Sequence, residues 1–291
     1  MTEIARLPPP LAGSLVAAAR AEPPPIMVQL IGSYLVRARL LGERTAELHL
    51  ALGQGGDDPA FRRESFTTLH QQSIFQSAHS MLARNLAVLR KRLPALPDAA
   101  SELARVALDR EAEIDARLRR IVARKVEVSR IRCHGDLHLG QVLWTGNDFV
   151  FIDFEGEPAR QLTQRRYKRT ALLDVAGVIR SFDYAGAAAL RGGRVRPEDI
   201  ATLQPWAEAW VGWVSATYLS GFLQTIAREQ PALGPDGPAP LIPRSDEDVA
   251  LLVDFYQFEK CIYELGYELN NRPDWVDIPL RGFALLLATP P

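Results

Sequence analysis

The sequence predicts a mainly α-helical (α+β) fold in which one small β-hairpin carries the chemistry. Three observations predict it. Long stretches repeat apolar residues at helical spacing. One stretch, 141–152, switches to strand, tight turn and strand. Proline and glycine clusters mark the boundaries between them. The chain has 291 residues, enough for one large domain or two modest ones.

Residues 1–25 hold Pro8, Pro9, Pro10, Pro23, Pro24 and Pro25, and read as a loose lead-in with room for one short helix. From Ile26 to Leu52 the apolar positions Leu30, Ile31, Tyr34, Leu35, Ala38, Leu41 and Leu48 recur with a helical period, and the run ends at Gly53-Gln54-Gly55-Gly56-Asp57. A second helix is predicted from Thr68 to Leu93, stopped by Pro94 and Pro97, and a third from Asp98 to Val128 with Asp98 as its cap. Gln141–Trp144, then Thr145-Gly146-Asn147-Asp148, then Phe149–Ile152 reads as a hairpin. Helices return over Leu172–Leu190 and Pro197–Gln230, and Pro231–Pro243 reads as an irregular loop. Ser245 then offers a capping hydroxyl, and Asp246, Glu247 and Asp248 place acids in the first turn of a long helix reaching Asn270.

The composition narrows the function classes. The net charge of −1 argues against nucleic acid as a main partner, because neutralising a phosphate backbone needs a basic excess. No stretch reaches the roughly 18 apolar residues of a membrane-spanning helix, and the start carries no secretory signal pattern. Two distant cysteines, Cys133 and Cys261, suit a reducing, cytoplasmic setting.

Chemistry concentrates in Arg132-Cys133-His134-Gly135-Asp136-Leu137-His138-Leu139-Gly140-Gln141, followed by the hairpin and Asp153. A histidine-rich metal centre is one reading, but His49, His70 and His79 fall in helices far upstream and too few ligands remain. Phosphoryl transfer fits better. Kinase catalytic loops place an aspartate five residues before an amide, then a hairpin, then a second aspartate, as Asp136, Gln141 and Asp153 are placed here. The reaction needs a carboxylate to accept the acceptor hydroxyl's proton and oxygen ligands to hold Mg²⁺ against the phosphates of ATP. His134 is read as a packed histidine orienting the loop. His138 is either structural or faces the substrate. Asp174, opening an otherwise apolar helix, is read as an anchor for the loop backbone.

The run HGDLHLGQVL, with FVFIDFEGEPAR and RRYKRTALLDVAGVIRSFDYA after it, resembles the maltokinases, a family of aminoglycoside phosphotransferase-like kinases whose members often form the C-terminal part of a trehalose synthase fusion. GSYLVRARLLGERTAELHLAL and KCIYELGYELNNRPDWVDIPLRG carry the same resemblance, which spans the chain from about residue 26 to its end. It implies a protein-kinase-like C-terminal lobe over 26–291, with a catalytic loop at 132–141, a metal-binding hairpin at 141–155 and a substrate helix at about 246–271. It also implies conversion of maltose and MgATP to maltose 1-phosphate and ADP. Asp136 maps onto the catalytic base, and Gln141 and Asp153 onto the magnesium ligands.

On a helix Lys260, Glu264, Glu268 and Asn271 share one face, with Tyr263 and Tyr267 beside them. Read by spacing alone this is a solvated face with an i,i+4 ion pair, worth about 0.3–0.5 kcal/mol. The resemblance points instead to a sugar site, where acids accept from hydroxyls and rings stack on sugar faces, with maltose or a related glucoside as substrate. A kinase also needs a nucleotide lobe with a phosphate-pairing lysine, and no strand pattern or lysine precedes Gln29. The chain is therefore expected to be the catalytic lobe of a maltokinase whose nucleotide lobe, or a trehalose synthase domain, is encoded upstream. The alternative is a non-catalytic lobe that binds maltose or a partner protein.

Overall fold

The computed structural model describes residues 11, 13–55, 58–157, 161–193, 195–229 and 239–289. In chain order its elements are helices α1 (Leu15–Ala19), α2 (Pro25–Ile31) and α3 (Ser33–Leu52), strand β1 (Glu64–Ser65), helices α4 (Thr68–Arg92), α5 (Asp98–Asp109) and α6 (Glu111–Arg119), and strands β2 (Ser129–Arg130), β3 (Val142–Trp144) and β4 (Phe149–Phe151). Helices α7 (Leu162–Arg165), α8 (Leu172–Arg191), α9 (Ile200–Glu229), α10 (Asp246–Asn271) and α11 (Asp277–Ala288) complete it. Residues 1–10 and 12 of the lead-in and residues 231–238 of the expected irregular loop lie outside the described residues. The residues form two compact units, one of 1–64 with 129–242, the other of 65–128 with 243–291.

In the first unit α3 lies directly against α9, and two glycines set the approach. A Cβ on Gly42 would stand 2.0 Å from the Tyr218 carbonyl oxygen, and one on Gly221 would stand 2.3 Å from that of Arg39. Backbone therefore meets backbone, and no side chain fits between. We expect Gly221→Ala to lower stability by about 1–3 kcal/mol, the cost of forcing packed elements apart. A denaturant midpoint shift with an unchanged slope is the readout.

The helix expected over 26–52 is broken at Gly32, whose φ of +61° and ψ of −136° turn the chain between α2 and α3. Apolar spacing runs through the break, so periodicity did not register it. Met27 of α2 and Ala18 of α1 are buried with Ala209, Trp213 and Ala216 of α9, which ties part of the proline-rich lead-in to the core. The Ser14 hydroxyl caps α1 by accepting from the Ala17 amide at 3.2 Å.

The hairpin pairs Val142 with Phe151, Leu143 with Val150 and Trp144 with Phe149. Gly146 takes φ +106° in its turn, a conformation open to glycine at little steric cost. Two arginines of α3 hold the hairpin from outside. The Arg37 guanidinium lies 5.1 Å above the Trp144 ring, and Arg44 Nε donates to Asp148 Oδ1 at 2.7 Å. The facing pair Leu143 and Val150 stays 50% and 48% exposed, with Phe154 also exposed just beyond. Among the described residues no strand precedes Glu64 to cover them. Exposed apolar surface of this kind drives association, so we expect the chain by itself to self-associate and Leu143→Ser with Val150→Thr to shift it towards monomer in sedimentation velocity.

The second unit contains α4, α5, α6, α10 and α11. Ser245 caps α10 by accepting from the Asp248 amide at 3.1 Å, and the acids of the first turn face the positive end of the helix dipole. The long side chain of Arg117 lies 8% exposed and donates to both oxygens of Asp254 at 3.0 and 2.7 Å. A single helix over 98–128 does not form. Arg110, at φ −100° and ψ 17°, leaves the helical region between α5 and α6, and its guanidinium donates to Glu113 at 2.8 Å and to the Leu287 carbonyl at 3.3 Å. Asp98 is the first residue inside α5 and not its cap, a place taken by Pro97. Helix α11 carries an apolar face that buries Ile278, Leu280 and Phe283; the sequence reading stopped short of it. No described helix is long and apolar enough to cross a membrane.

Candidate active site

The segment from His134 to Gln141 is held chiefly by its backbone. Asp174, near the start of α8, is 1% exposed. Its Oδ2 accepts from the His134 amide at 2.8 Å and its Oδ1 from the Gly135 amide at 2.9 Å. Burial pushes the Asp174 carboxyl up, but the hydrogen bonds from His49 and the Gly135 amide outweigh it and hold the group below the usual carboxylate range. Further along, the Ser181 hydroxyl of α8 accepts from the Leu139 amide at 3.2 Å and donates to the Val178 carbonyl at 2.6 Å. Between these anchors Gly177 gives α8 its close approach, since a Cβ there would lie 2.5 Å from the Leu137 carbonyl oxygen. Gly135 itself sits at φ +87°.

Asp136 emerges from this clamp partly exposed. His134 packs beneath: one ring nitrogen bonds to the Ile152 carbonyl at 2.8 Å, Nδ1 accepts from the Asp136 amide at 3.4 Å, and the ring lies 4.9 Å from that of Phe154. His138 Nδ1 accepts from the Gly140 amide at 3.0 Å, capping the short 3-10 turn Leu139–Gln141. With Nδ1 accepting, the proton belongs on Nε2, which lies 3.9 Å from Asp136 Oδ2.

Across the hairpin Gln141 Nε2 donates to Asp153 Oδ2 at 2.8 Å, so the amide and the carboxylate meet although twelve residues separate them. Asp153 takes φ +65°, the one non-glycine residue with positive φ among those described. Strained backbone of this kind persists where the surroundings over-determine it and clusters at functional sites. Gln141 and Asp153 offer an amide carbonyl and a carboxylate, hard oxygens that suit magnesium better than a softer metal.

A second group of ligand types lies below the loop. One ligand atom each from His49, Cys133 and Asp174 falls within a mutual 4.8 Å, with all three side chains buried. Each is committed elsewhere. His49 Nε2 and Asp174 Oδ2 are 2.9 Å apart, and the single S–H of Cys133 has the Ile131, Arg169 and Thr170 carbonyls within 3.5–3.7 Å as alternative acceptors. Burial, with the nearby Asp174 charge, pushes the Cys133 thiol well above its ordinary range. These surroundings favour the uncharged thiol.

The residues read as a sugar site lie in the second unit, along α10. Lys260 Nζ lies 5.1 Å from the Tyr263 ring centre, Tyr263 and Tyr267 stack with centroids 6.4 Å apart, and the Arg272 guanidinium lies 5.3 Å from both Tyr267 and Trp275. Glu264 and Glu268 are buried. Both Glu268 oxygens accept from Arg272, at 3.0 and 2.6 Å, so an i,i+4 ion pair forms one turn beyond the Lys260–Glu264 pair that spacing suggests. Arg272 and Trp275 extend this cation–aromatic row and were not singled out in the sequence, although both stand in the quoted tail.

Residues 29–156 match the model of the phosphotransferase enzyme family. A glucosamine kinase from Streptacidiphilus jiangxiensis is 25% identical over 246 residues, covering 84% of this chain and 48% of that protein. A glucosamine kinase from Mycolicibacterium smegmatis (strain ATCC 700084 / mc(2)155) is 26% identical over 157 residues, covering 53% and 34%. Among solved structures, a glucosamine kinase in crystal form A aligns with a TM-score of 0.66 at 24% identity over 94% of this chain and 58% of that one. A glucosamine kinase in complex with glucosamine, ADP and inorganic phosphate aligns at 0.64 and 24% over 94% and 59%. The chain shares the fold of the part of these glucosamine kinases that it covers. The chain spans about half the length of the curated relatives it matches.

Proposed function

We propose that this chain supplies the catalytic loop and metal ligands for ATP-dependent phosphorylation of a sugar hydroxyl. The observation that carries the reading is the meeting of Gln141 and Asp153 at 2.8 Å beside a loop that ends its clamped section at Asp136. Asp136 accepts a hydrogen bond from the acceptor hydroxyl and takes its proton as the acceptor oxygen bonds to the γ-phosphorus. The bond from that phosphorus to the bridging oxygen breaks and ADP leaves. Gln141 Oε1 and the Asp153 carboxylate would hold Mg²⁺, which neutralises charge on the phosphate oxygens when bound. His138 Nε2–H, 3.9 Å from Asp136 Oδ2, is beyond direct hydrogen-bond reach of that carboxylate and would meet the acceptor beside it. Most of the catalytic effect in this chemistry is positioning and charge stabilisation, which suits a loop fixed through its amides.

Two acceptors are in contention. Maltose, converted to maltose 1-phosphate, rests on the resemblance of the 260–273 tail and on the Lys260–Tyr263–Tyr267 row, where rings could stack on a disaccharide and Glu264 could accept from its hydroxyls. Glucosamine rests on the names of the relatives. Arg272 is paired with Glu268 and Glu264 adds a carboxylate to the same helix, so the charge of the row does not choose between the two. ADP release measured with maltose, glucosamine, glucose, trehalose and an aminoglycoside tests both. We expect maltose to give the highest kcat/KM. Turnover of glucosamine alone would transfer the assignment to an amino sugar, and turnover of none by a protein that carries a nucleotide lobe would leave a sugar- or protein-binding lobe.

The clamp gives a further prediction. Gly177→Ala should push Leu137 away from α8, lower stability by about 1–3 kcal/mol and reduce kcat more than the KM for the sugar. Thermal melts and initial rates on one preparation check it.

A further inference from the structure

Resting on the kinase reading above, the geometry points to His49 as a positioning residue for phosphoryl transfer: its imidazole holds the Asp174 carboxylate in the orientation that fixes the His134 and Gly135 amides, and through them the place of the Asp136 carboxylate. Nothing in the sequence joins these residues. His49 and Asp174 stand 125 positions apart, on α3 and α8.

His49 is 0% exposed, and its Nε2 lies 2.9 Å from Asp174 Oδ2, the oxygen that also takes the His134 amide. Its Nδ1 is buried with no hydrogen-bond partner. An imidazole with one partnered nitrogen facing a carboxylate carries its proton on that nitrogen, so Nε2–H donates to Asp174. Phe222 of α9 meets the ring edge-on, with centroids 5.7 Å apart, and sets its tilt. Asp174 then has a fixed donor at Oδ2 besides the two amides. Without His49, its carboxylate could rotate about its terminal bond and give up one amide or the other. An exchange of that kind would shift the segment that ends in Asp136, where misplacement by about an ångström can cost about 10²-fold in rate.

The carboxyl is buried, and its charge depends on these donors. A change that removes the Nε2 donor while filling the space differs from one that keeps a donor. His49→Leu does the first. His49→Gln places an amide N–H near the position of Nε2 and does the second. His49→Asn, whose amide stops short of Asp174, repeats the first with a smaller change in polarity and carries the test where the leucine variant does not fold.

The experiment is hydrogen–deuterium exchange on the protein that carries this chain, paired with ADP release. In His49→Leu or His49→Asn, amides 134 and 135 should exchange at least about tenfold faster, with exchange in α10 unchanged. His49→Gln should return them to within about threefold of wild type. With an active acceptor, kcat should fall at least about tenfold for Leu or Asn, the KM for ATP should hold within about twofold, and Gln should restore most of the rate. Unchanged exchange at 134 and 135, or acceleration spread evenly over both units with no rescue by Gln, overturns the inference. Localised exchange with Gln rescue, in a protein that phosphorylates none of the acceptors, keeps the clamp and removes the kinase reading instead.

Discussion

Asp136→Asn is expected to lower kcat by at least about 10²-fold, the lower end for losing a general base, which corresponds to about 2.7 kcal/mol of barrier. Asparagine keeps the shape and can still touch the acceptor hydroxyl, but it cannot take the proton. Its side chain is partly exposed and does not take part in the Asp174 clamp, so stability should stay within about 0.5 kcal/mol. The KM for the sugar should move little, because the lost interaction is one made in the transition state. Steady-state ADP release at saturating acceptor, in the longest protein that carries this chain, is the measurement. A variant retaining more than a third of the wild-type kcat would remove Asp136 from the base position.

Replacing Asp153 should separate chemistry from backbone strain. Its φ of +65° is one that glycine adopts freely and other residues adopt at a cost of order 1 kcal/mol. Asp153→Gly should therefore leave stability within about 1 kcal/mol of wild type, since relieved strain offsets the added freedom of the unfolded chain. Both variants lose the hydrogen bond from Gln141; Asp153→Ala also keeps the strain and should be the less stable of the two. Both should lose at least about 10²-fold in rate, the scale of removing one charge-stabilising group from a preorganised site. Asp153→Asn should retain some rate at raised magnesium, because it removes a formal charge and keeps an oxygen. Rates titrated against magnesium, with melts on the same samples, distinguish the three. Full activity in the glycine variant at ordinary magnesium would rule out Asp153 as a metal ligand.

The hairpin was legible because its signals are local. Gly146-Asn147-Asp148 between two apolar runs demands a tight turn, and the structure pairs Val142 with Phe151 in the register the turn sets. The start of α10 was legible for the same reason: a serine hydroxyl followed by three acids matches the unpaired amides of a first turn. Asp136, Gln141 and Asp153 could be singled out because their order and spacing match those of kinase catalytic loops. Helix breaks were harder. Gly32 interrupts α2 and α3 without interrupting the apolar period, and Arg110 ends α5 with no glycine or proline to announce it.

By itself the sequence determined the hairpin, the cap of α10 and the short segment that holds the candidate site, because capping, turn formation and motif spacing act over a few residues. Only the tertiary structure decided what holds those segments still. His49 reaches Asp174 across 125 positions, Gly177 lets α8 touch the loop backbone, and Gly42 with Gly221 brings α3 onto α9. These are contacts between surfaces that meet only after the helices have packed. A histidine in an apolar helix and a glycine in its neighbour look like ordinary core residues until the neighbouring backbone is in place.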